Sequence, residues 1–178
     1  MFKILKLAVT LGVFCIFSSG LLAYVYELTV PKIEANARAS FEGSLREVLP
    51  GANTFKNVTA ADVQNPLFEG YEGEKLIGLA VQVAPRGYSG NVKMLVGVDP
   101  DLRVKGLKIL DQKETPGLGT NIVKPKFTGQ FIGKGKSDPL EPKKDIDAIT
   151  GATISSRAVS EGVKAVIRDA EKYKKGKP

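Results

Sequence analysis

The sequence predicts an α+β fold in which an antiparallel sheet is flanked by helices and is preceded by one N-terminal transmembrane helix. Three observations carry this prediction. An uncharged apolar run lies near the N-terminus, short apolar segments separated by turn residues fill the middle, and an amphipathic segment lies near the C-terminus. Because 43% of the 178 residues are hydrophobic and 25% are charged, the composition is that of a folded protein rather than a disordered one.

The N-terminal run, residues 7–26, contains 20 residues without a charge. A helix of that length spans about 30 Å, which is the thickness of the hydrocarbon core of a bilayer. Lys3 and Lys6 precede the run, and the first cation after it is Lys32. The positive-inside rule therefore places the N-terminus in the cytoplasm and the rest of the chain on the extracytoplasmic (periplasmic) side of the cell inner membrane.

A cleaved signal peptide is the alternative for this run. Signal peptides have a shorter apolar region, about 7–15 residues, followed by a cleavage site made of small residues. The segment Leu22–Tyr24 is a poor site of that kind, and the bulky Phe14 before Cys15 argues against lipoprotein processing. These features favour a retained anchor.

The next elements follow from periodicity. Pro31 is suited to the first turn of a helix, and apolar residues at helical spacing continue from Ile33 to Leu49, where Pro50 and Gly51 end the helix. Four strands are then predicted, at residues 68–71, 76–83, 92–98 and 104–110. Because only short turns separate them, they favour an antiparallel meander.

A stretch rich in glycine, proline and lysine covers residues 115–144, and a helix is predicted at 156–173 with a frayed basic tail at 172–178. The predicted organisation is a cytoplasmic N-terminus, an anchor, an amphipathic helix and one folded domain with its basic tail, at residues 1–6, 7–26, 27–50 and 51–178.

Composition excludes several chemistries. The chain has no histidine and a single cysteine, Cys15, so histidine-based catalysis, an internal disulfide and an unaided zinc or iron–sulfur site are excluded, and no metal site is predicted. The net charge of +7 is concentrated near the C-terminus. A nucleic-acid surface would fit that charge, but a solvated helix face fits better because a domain outside the cytoplasm meets no genome.

Two loops carry the functional signal. The first motif loop, directly after the last predicted strand, reads Glu114, Thr115, Pro116, Gly117, Leu118 and Gly119. Taken alone it is consistent with a tight turn, since proline fixes one backbone angle and glycine allows unusual ones. It lacks the third glycine of a dinucleotide fingerprint and the Gly-Lys-Ser/Thr of a phosphate loop.

The second motif loop runs from Asp147 to Thr153 and reads as a short strand that ends in Thr-Gly-Ala-Thr where the last helix begins. Free N–H groups at a helix start favour an anion, and small residues allow one to approach closely. The alternative is simple helix capping by Thr153 or Ser155.

These two loops, in this order, resemble the FMN-binding domain family, whose flavinylation motif is Asp-x-x-Ser/Thr-Gly-Ala-Thr/Ser and whose other element is Glu-Thr-Pro-Gly-Leu-Gly. Together with the N-terminal anchor and the chain length, they are similar to the G subunits of Rnf-type ion-translocating electron transport complexes. They are less similar to the C subunits of sodium-pumping NADH:quinone reductases. The likeness covers nearly the whole chain.

The resemblance implies that Thr153 carries FMN covalently through a phosphoester bond. It further implies that Asp147, Thr150, Gly151 and Ala152 form the sequence recognised by a flavin transferase, which uses FAD, and that the first motif loop lies against the flavin. No residue of the chain is predicted to be catalytic, because flavin supplies the redox chemistry.

The function implied is that of an electron-carrying subunit of a membrane oxidoreductase that moves electrons between ferredoxin and NAD and translocates Na⁺ or H⁺. The implied partners are the other subunits of that complex, the transferase and the membrane, with no nucleic acid. A C-type subunit of a quinone reductase and an anchored, non-redox binding protein are the alternatives.

Overall fold

The computed structural model describes residues 2–58 and 65–176. It divides into two compact units, Met1–Glu42 and Gly43–Pro178. The elements are α1 (Phe2–Val48), β1 (Thr54–Asn57), β2 (Leu67–Glu72), β3 (Lys75–Val83), β4 (Lys93–Val98), β5 (Val104–Asp111), α2 (Pro125–Thr128) and α3 (Thr153–Gly176). Turns of 3₁₀ helix lie at Gly119–Val123 and Gly129–Phe131. This layout confirms the predicted α+β class.

Helix α1 is continuous where two helices were predicted. Pro31 lies inside it instead of at the start of a second helix, so that part of the prediction is wrong. An interior proline costs about 3 kcal/mol and one hydrogen bond, but the residues on both sides favour a helix strongly enough to continue it. Within the described residues, α1 is the one helix long and apolar enough to cross a membrane. The predicted amphipathic face is buried only near its end, since Ile33 is 59% exposed.

The sheet is an antiparallel meander in the order β1-β2-β3-β4-β5. The four predicted strands are confirmed, and their register sets Gly97 of β4 opposite Gly106 of β5. Strand β1 was not predicted. It is a four-residue edge strand whose side chains are mostly exposed, so it carries no alternation of apolar and polar residues.

Helix α3 covers one face of the sheet. Its apolar side chains at Val159, Val163 and Val166 are fully buried in one cluster with Met94 of β4. A Cβ at Gly162 would lie 2.8 Å from the Met94 sulfur, so glycine there allows the helix to approach the strand. This packing fixes where the start of α3 lies relative to the sheet.

The end of α1 rests on the opposite face. Leu45, Val48 and Leu49 are buried there. A Cβ at Gly97 would lie 2.1 Å from the Val48 carbonyl oxygen, and one at Gly106 would lie 2.6 Å from the Val48 Cα. The paired glycines therefore make room for the backbone of the last turn of α1. Since side chains alternate along a strand, these glycines face away from the cluster under α3.

The C-terminal part of α3 is ordered against the sheet. The Tyr173 hydroxyl donates a hydrogen bond to the buried Glu69 carboxylate of β2 at 3.1 Å, and Lys175 pairs with Glu171 at 2.9 Å. The prediction of a frayed tail is therefore wrong for residues 172–176. Helix α3 continues to Gly176, and Tyr173 is held to the sheet by this buried hydrogen bond. The last two residues of that predicted tail lie outside the described residues.

Candidate functional site

The two motif loops meet beside the start of α3. A Cβ on Gly151 would lie 3.2 Å from a Leu118 methyl group, and the positive φ of Gly151 (+76°) favours glycine at this contact. The loops border a groove of about 520 Å³. Its lining comprises Tyr88, Thr115, Leu118, Gly119, Gly151, Ala152, Thr153, Ile154 and Ser155.

The second motif loop is not a strand, which corrects the prediction. Side chains take the place of a strand partner. Gln130 Oε1 accepts the Asp147 N–H at 2.7 Å, and Gln130 Nε2 donates to the Asp147 carbonyl oxygen at 3.4 Å. The Ile149 N–H donates to Ser156 Oγ at 3.0 Å. Because these bonds satisfy its backbone, the loop adopts an irregular path that a β ladder would not allow.

Thr153 is the first residue of α3 and lies between two cavities. Besides the groove, it borders a cavity of about 280 Å³ whose charged lining comprises three cations and two carboxylates: Lys143, Arg157, Lys164, Glu141 and Glu161. Of these, Lys164 pairs with Glu141 at 3.5 Å. Among residues 2–58 and 65–176 the Thr153 hydroxyl has no hydrogen-bond partner. Its oxygen is therefore available for other chemistry, with a small excess of positive charge in the neighbouring cavity.

The helix-capping alternative does not hold. The residue that precedes α3 is Ala152, which has no side-chain oxygen to accept an N–H of the first turn. The Ser155 hydroxyl donates to the Glu114 carboxylate instead of capping the helix. The hydroxyl groups at this helix start are therefore not explained by capping.

Glu114 lies beneath the groove and does not line it. It is 4% exposed, and it accepts hydrogen bonds from the Tyr88 N–H at 3.2 Å, the Ser89 N–H at 3.1 Å and the Ser155 hydroxyl. Burial raises the pKa of Glu114, but the hydrogen bond from Ser155 and those from three backbone N–H groups outweigh it and hold this pKa below its usual value. The group is therefore a buried, ionised carboxylate at neutral pH.

Several predicted residues lie away from the groove. Pro116 and Gly117 form an exposed turn, in which the Gly117 N–H donates to Thr120 Oγ1 at 3.0 Å. Thr150 is exposed, and Asp147 lines a separate cavity of about 340 Å³. The structure thus brings together Thr115, Leu118, Gly119, Gly151, Ala152 and Thr153.

Three residues of the groove were missed by the sequence analysis. Tyr88 is 68% exposed, Ile154 is 51% exposed, and the Ser155 hydroxyl reaches under the groove. The available signal for Tyr88 was an aromatic residue in the segment Gly87–Gly90, which reads locally as a turn. Together with Leu118, which is 45% exposed, Tyr88 and Ile154 present an apolar surface to the same groove.

This arrangement suits a flat, largely apolar ligand that carries an anionic end. Exposed apolar side chains can contact the faces of a ring. The unpartnered Thr153 hydroxyl can form an ester, and the cations beside it can stabilise a phosphate. The groove residues hold no pair of acid and base groups, so any redox chemistry here requires a bound cofactor.

Comparison with known proteins matches residues 87–168 to the FMN-binding domain and residues 1–48 to the RnfG N-terminal region. The G subunit of the proton-translocating ferredoxin:NAD(+) oxidoreductase complex of Clostridium ljungdahlii is 34% identical over 182 residues, which cover 98% of this chain and 96% of that one. The G subunit of the Na(+)-translocating complex of Acetobacterium woodii is 32% identical over 188 residues, covering 93% and 90%.

Among solved structures, the C subunit of the Na(+)-translocating NADH-quinone reductase of Parabacteroides distasonis has a TM-score of 0.53 at 24% identity, covering 77% of this chain and 83% of that chain. At that identity the likeness shows a shared fold.

Fold and groove together define an FMN-binding domain that follows an apolar N-terminal helix. More particularly, the chain belongs to the family of G subunits of ion-translocating oxidoreductase complexes. Both steps confirm the resemblance that the motifs predicted.

Proposed function

We propose that this chain is the electron-carrying flavin subunit of a membrane-anchored, ion-translocating complex that moves electrons between ferredoxin and NAD. The names of its relatives support this reaction, since those from Clostridium ljungdahlii and Acetobacterium woodii are ferredoxin:NAD(+) oxidoreductase subunits. The match of residues 87–168 to the FMN-binding domain supports the cofactor. The chain is then one part of an oxidoreductase, with the other subunits as its partners.

Thr153 is the proposed attachment residue for covalent FMN. The observation that carries this assignment is its hydroxyl, which has no hydrogen-bond partner among the described residues. Thr153 borders both the groove and the cavity that contains Lys143 and Arg157. Thr150, the other threonine of the second motif loop, is exposed and lines neither of them. Of these two threonines, only Thr153 borders both the groove, which would hold the ring, and the cavity, which would hold the phosphate.

Attachment is the work of a separate flavin transferase with FAD as donor. Thr153 Oγ1 forms the ester bond to the phosphorus of the FMN half of FAD, the phosphoanhydride bond of FAD breaks, and AMP leaves as the hydroxyl proton is released. Asp147, Thr150, Gly151 and Ala152 are the proposed recognition sequence, and the exposure of Asp147 and Thr150 makes them accessible to an enzyme.

The roles of the chain's own residues are to bind and orient. The start of α3 and the cations Lys143 and Arg157 stabilise the charge of the phosphodiester. Leu118 and Ile154 would contact the ring, and Thr115 and Gly119 complete the lining of the groove. Bound FMN would supply the one- and two-electron chemistry, which explains how a chain without histidine serves in electron transfer.

Membrane anchoring is supported by α1, whose apolar part contains no buried residue. We propose residues 7–26 as the membrane span, residues 1–6 on the cytoplasmic side, and the flavin domain, 51–178, on the extracytoplasmic side with the transferase. The bias of Lys3 and Lys6 supports this direction. Residues 27–50 then lead from the membrane to the domain.

The experiment uses the full chain, coexpressed with a flavin transferase and purified in detergent. After denaturing electrophoresis, the band of the unaltered chain and that of Thr150→Ser, which keeps the hydroxyl that the motif requires at this position, are expected to fluoresce as flavin. The band of Thr153→Ala is expected to be dark. Fluorescence that persists in Thr153→Ala would contradict the assignment. A colourless unaltered chain would favour the non-redox binding protein instead.

A further inference from the structure

We propose that Glu114 is a positioning residue that acts on the flavin site through Tyr88. The tyrosine loop, Gly87–Gly90, connects β3 to β4 and is not part of either motif loop. Glu114 holds this loop so that the Tyr88 ring forms a wall of the groove and contacts the flavin. The inference rests on the proposed function and extends it to a loop and a ring contact that the motifs do not include.

The first support is the position of Tyr88. Tyr88 lines the same groove as Leu118 and Thr153, although it comes from a different part of the chain. It is 68% exposed, so its large apolar surface has little contact with the rest of the domain. An exposed aromatic ring at the edge of a groove offers its face to a flat ligand.

The second support is the carboxylate that fixes this loop. Glu114 accepts the Tyr88 N–H at 3.2 Å and the Ser89 N–H at 3.1 Å, and it accepts the Ser155 hydroxyl as well. Ser155 lies two residues after Thr153 in the first turn of α3. One buried carboxylate therefore joins the tyrosine wall of the groove to the helix turn that carries the attachment residue.

The third support is steric. A Cβ at Gly87 would lie 2.5 Å from Glu114 Oε1, and a Cβ at Gly119 would lie 2.7 Å from the Glu114 Cβ and 2.9 Å from Ser155 Oγ. The tyrosine loop and the first motif loop thus close tightly around this one side chain. Within the loop, the Gly87 N–H donates to the Gly90 carbonyl at 2.7 Å. The Glu114 carboxylate therefore fills the space between the two loops.

The chemistry of the site requires a carboxylate there. The groups that point at Glu114 are all donors. A carboxylate offers acceptor oxygens to all of them, whereas the amide of glutamine turns an N–H₂ group toward at least one. Glu114→Gln therefore preserves size but loosens the tyrosine loop.

The test uses the full chain with covalent flavin attached, and it compares Glu114→Gln, Tyr88→Ala and the double variant. Visible circular dichroism and flavin fluorescence report the contact between the ring and its surroundings. We expect both single variants to lose visible dichroism and to gain fluorescence. We expect the double variant to match Tyr88→Ala, because the effect of Glu114 passes through Tyr88. Glu74→Gln, an exposed carboxylate in the turn between β2 and β3, is the matched control and leaves both signals unchanged.

Unchanged signals in Glu114→Gln, or changes that add in the double variant, would overturn the inference while the proposed function stands. If Glu114→Gln does not fold or take up flavin, Ser155→Ala replaces it in the same cycle, since it removes one donor and keeps the carboxylate. An unaltered chain that takes up no flavin would instead overturn the proposed function and this inference together.

Discussion

At the scale of single residues, the groove places the Thr153 hydroxyl beside apolar side chains from three segments. Thr153 provides the oxygen, while Leu118, Ile154 and Tyr88 provide apolar surface that is about half exposed or more. Such exposure costs stability in a protein without a ligand, and it is typical of a binding site. These three exposed apolar side chains therefore contribute little to the folding of the domain.

Leu118→Ala tests the ring contact of the first motif loop. Because Leu118 is 45% exposed, its truncation is expected to change the free energy of unfolding by less than about 1 kcal/mol. The absorption spectrum or the midpoint potential of the attached flavin is expected to shift, since flavin electronics respond to local polarity. Val123→Ala, at a side chain 48% exposed outside the groove, is the control. An unchanged spectrum and potential would leave the loop as a turn only.

Gly119→Ala tests the close packing around Glu114. Its Cβ would lie 2.7 Å from the Glu114 Cβ, so the loop must shift, and we expect a loss of about 1–3 kcal/mol in the free energy of unfolding. Gly129→Ala is the matched control, because a Cβ there meets nothing within 4 Å. Thermal unfolding of the full chain in detergent measures both. Equal midpoints for the two variants would contradict the packing argument.

The residues of the two motif loops could be predicted from the sequence, but the burial of each side chain could not. The order of the two loops identified Thr153, Leu118 and Gly151, which the structure brings together. Nothing in the sequence shows that Glu114 lies under the groove, because its position depends on Ser155 and on the tyrosine loop. Ser89 of that loop is 25 residues away from Glu114 in the chain. Contacts of this kind arise only when the sheet brings distant loops together.

At the scale of elements, the strands were predictable because apolar segments and turn residues alternate clearly between residues 67 and 111. The predictions that failed are those where two opposing local preferences compete for the same residues. Pro31 was outweighed by its helical neighbours, and the second motif loop lost its strand character to the Gln130 amide and the Ser156 hydroxyl. Side-chain partners distant in sequence decided that second outcome.

Tyr173→Phe tests how the C-terminal part of α3 is held on the sheet. The change removes one donor from the Glu69 carboxylate, which is 3% exposed, and we expect a loss of about 2 kcal/mol in the free energy of unfolding. Tyr88→Phe removes the same atom from an exposed ring and is expected to have no effect. If chemical denaturation gave equal stabilities for both variants, the helix end would be held by its apolar contacts alone.

At the scale of the whole molecule, the chain consists of an apolar N-terminal helix and an FMN-binding domain. Its relatives share nearly its full length, helix included. The proposed covalent attachment would suit such a protein, because a domain on the proposed extracytoplasmic side would lose to the surroundings a cofactor held by contacts alone. Anchor and ester together would keep the flavin near its partner subunits.

The direction of insertion is tested with a reporter fused after the last residue. With the N-terminus in the cytoplasm, an enzyme that is active only when exported is expected to be active, and the chain is expected to stay in the membrane fraction at full length. Exchanging Lys3 and Lys6 for glutamate is expected to reduce that activity. Activity of a reporter that works only in the cytoplasm would invert the proposed topology and separate the domain from its transferase.

The most direct test of the central claim is to locate the flavin within the chain. Cleavage after Lys144 and Arg157 releases residues 145–157, which contain four hydroxyl residues: Thr150, Thr153, Ser155 and Ser156. Fragmentation mass spectrometry of this peptide, from full chain coexpressed with a flavin transferase, is expected to place the mass of one FMN less one water on Thr153. The same mass on any of the other three residues, or an unmodified peptide, would contradict the account.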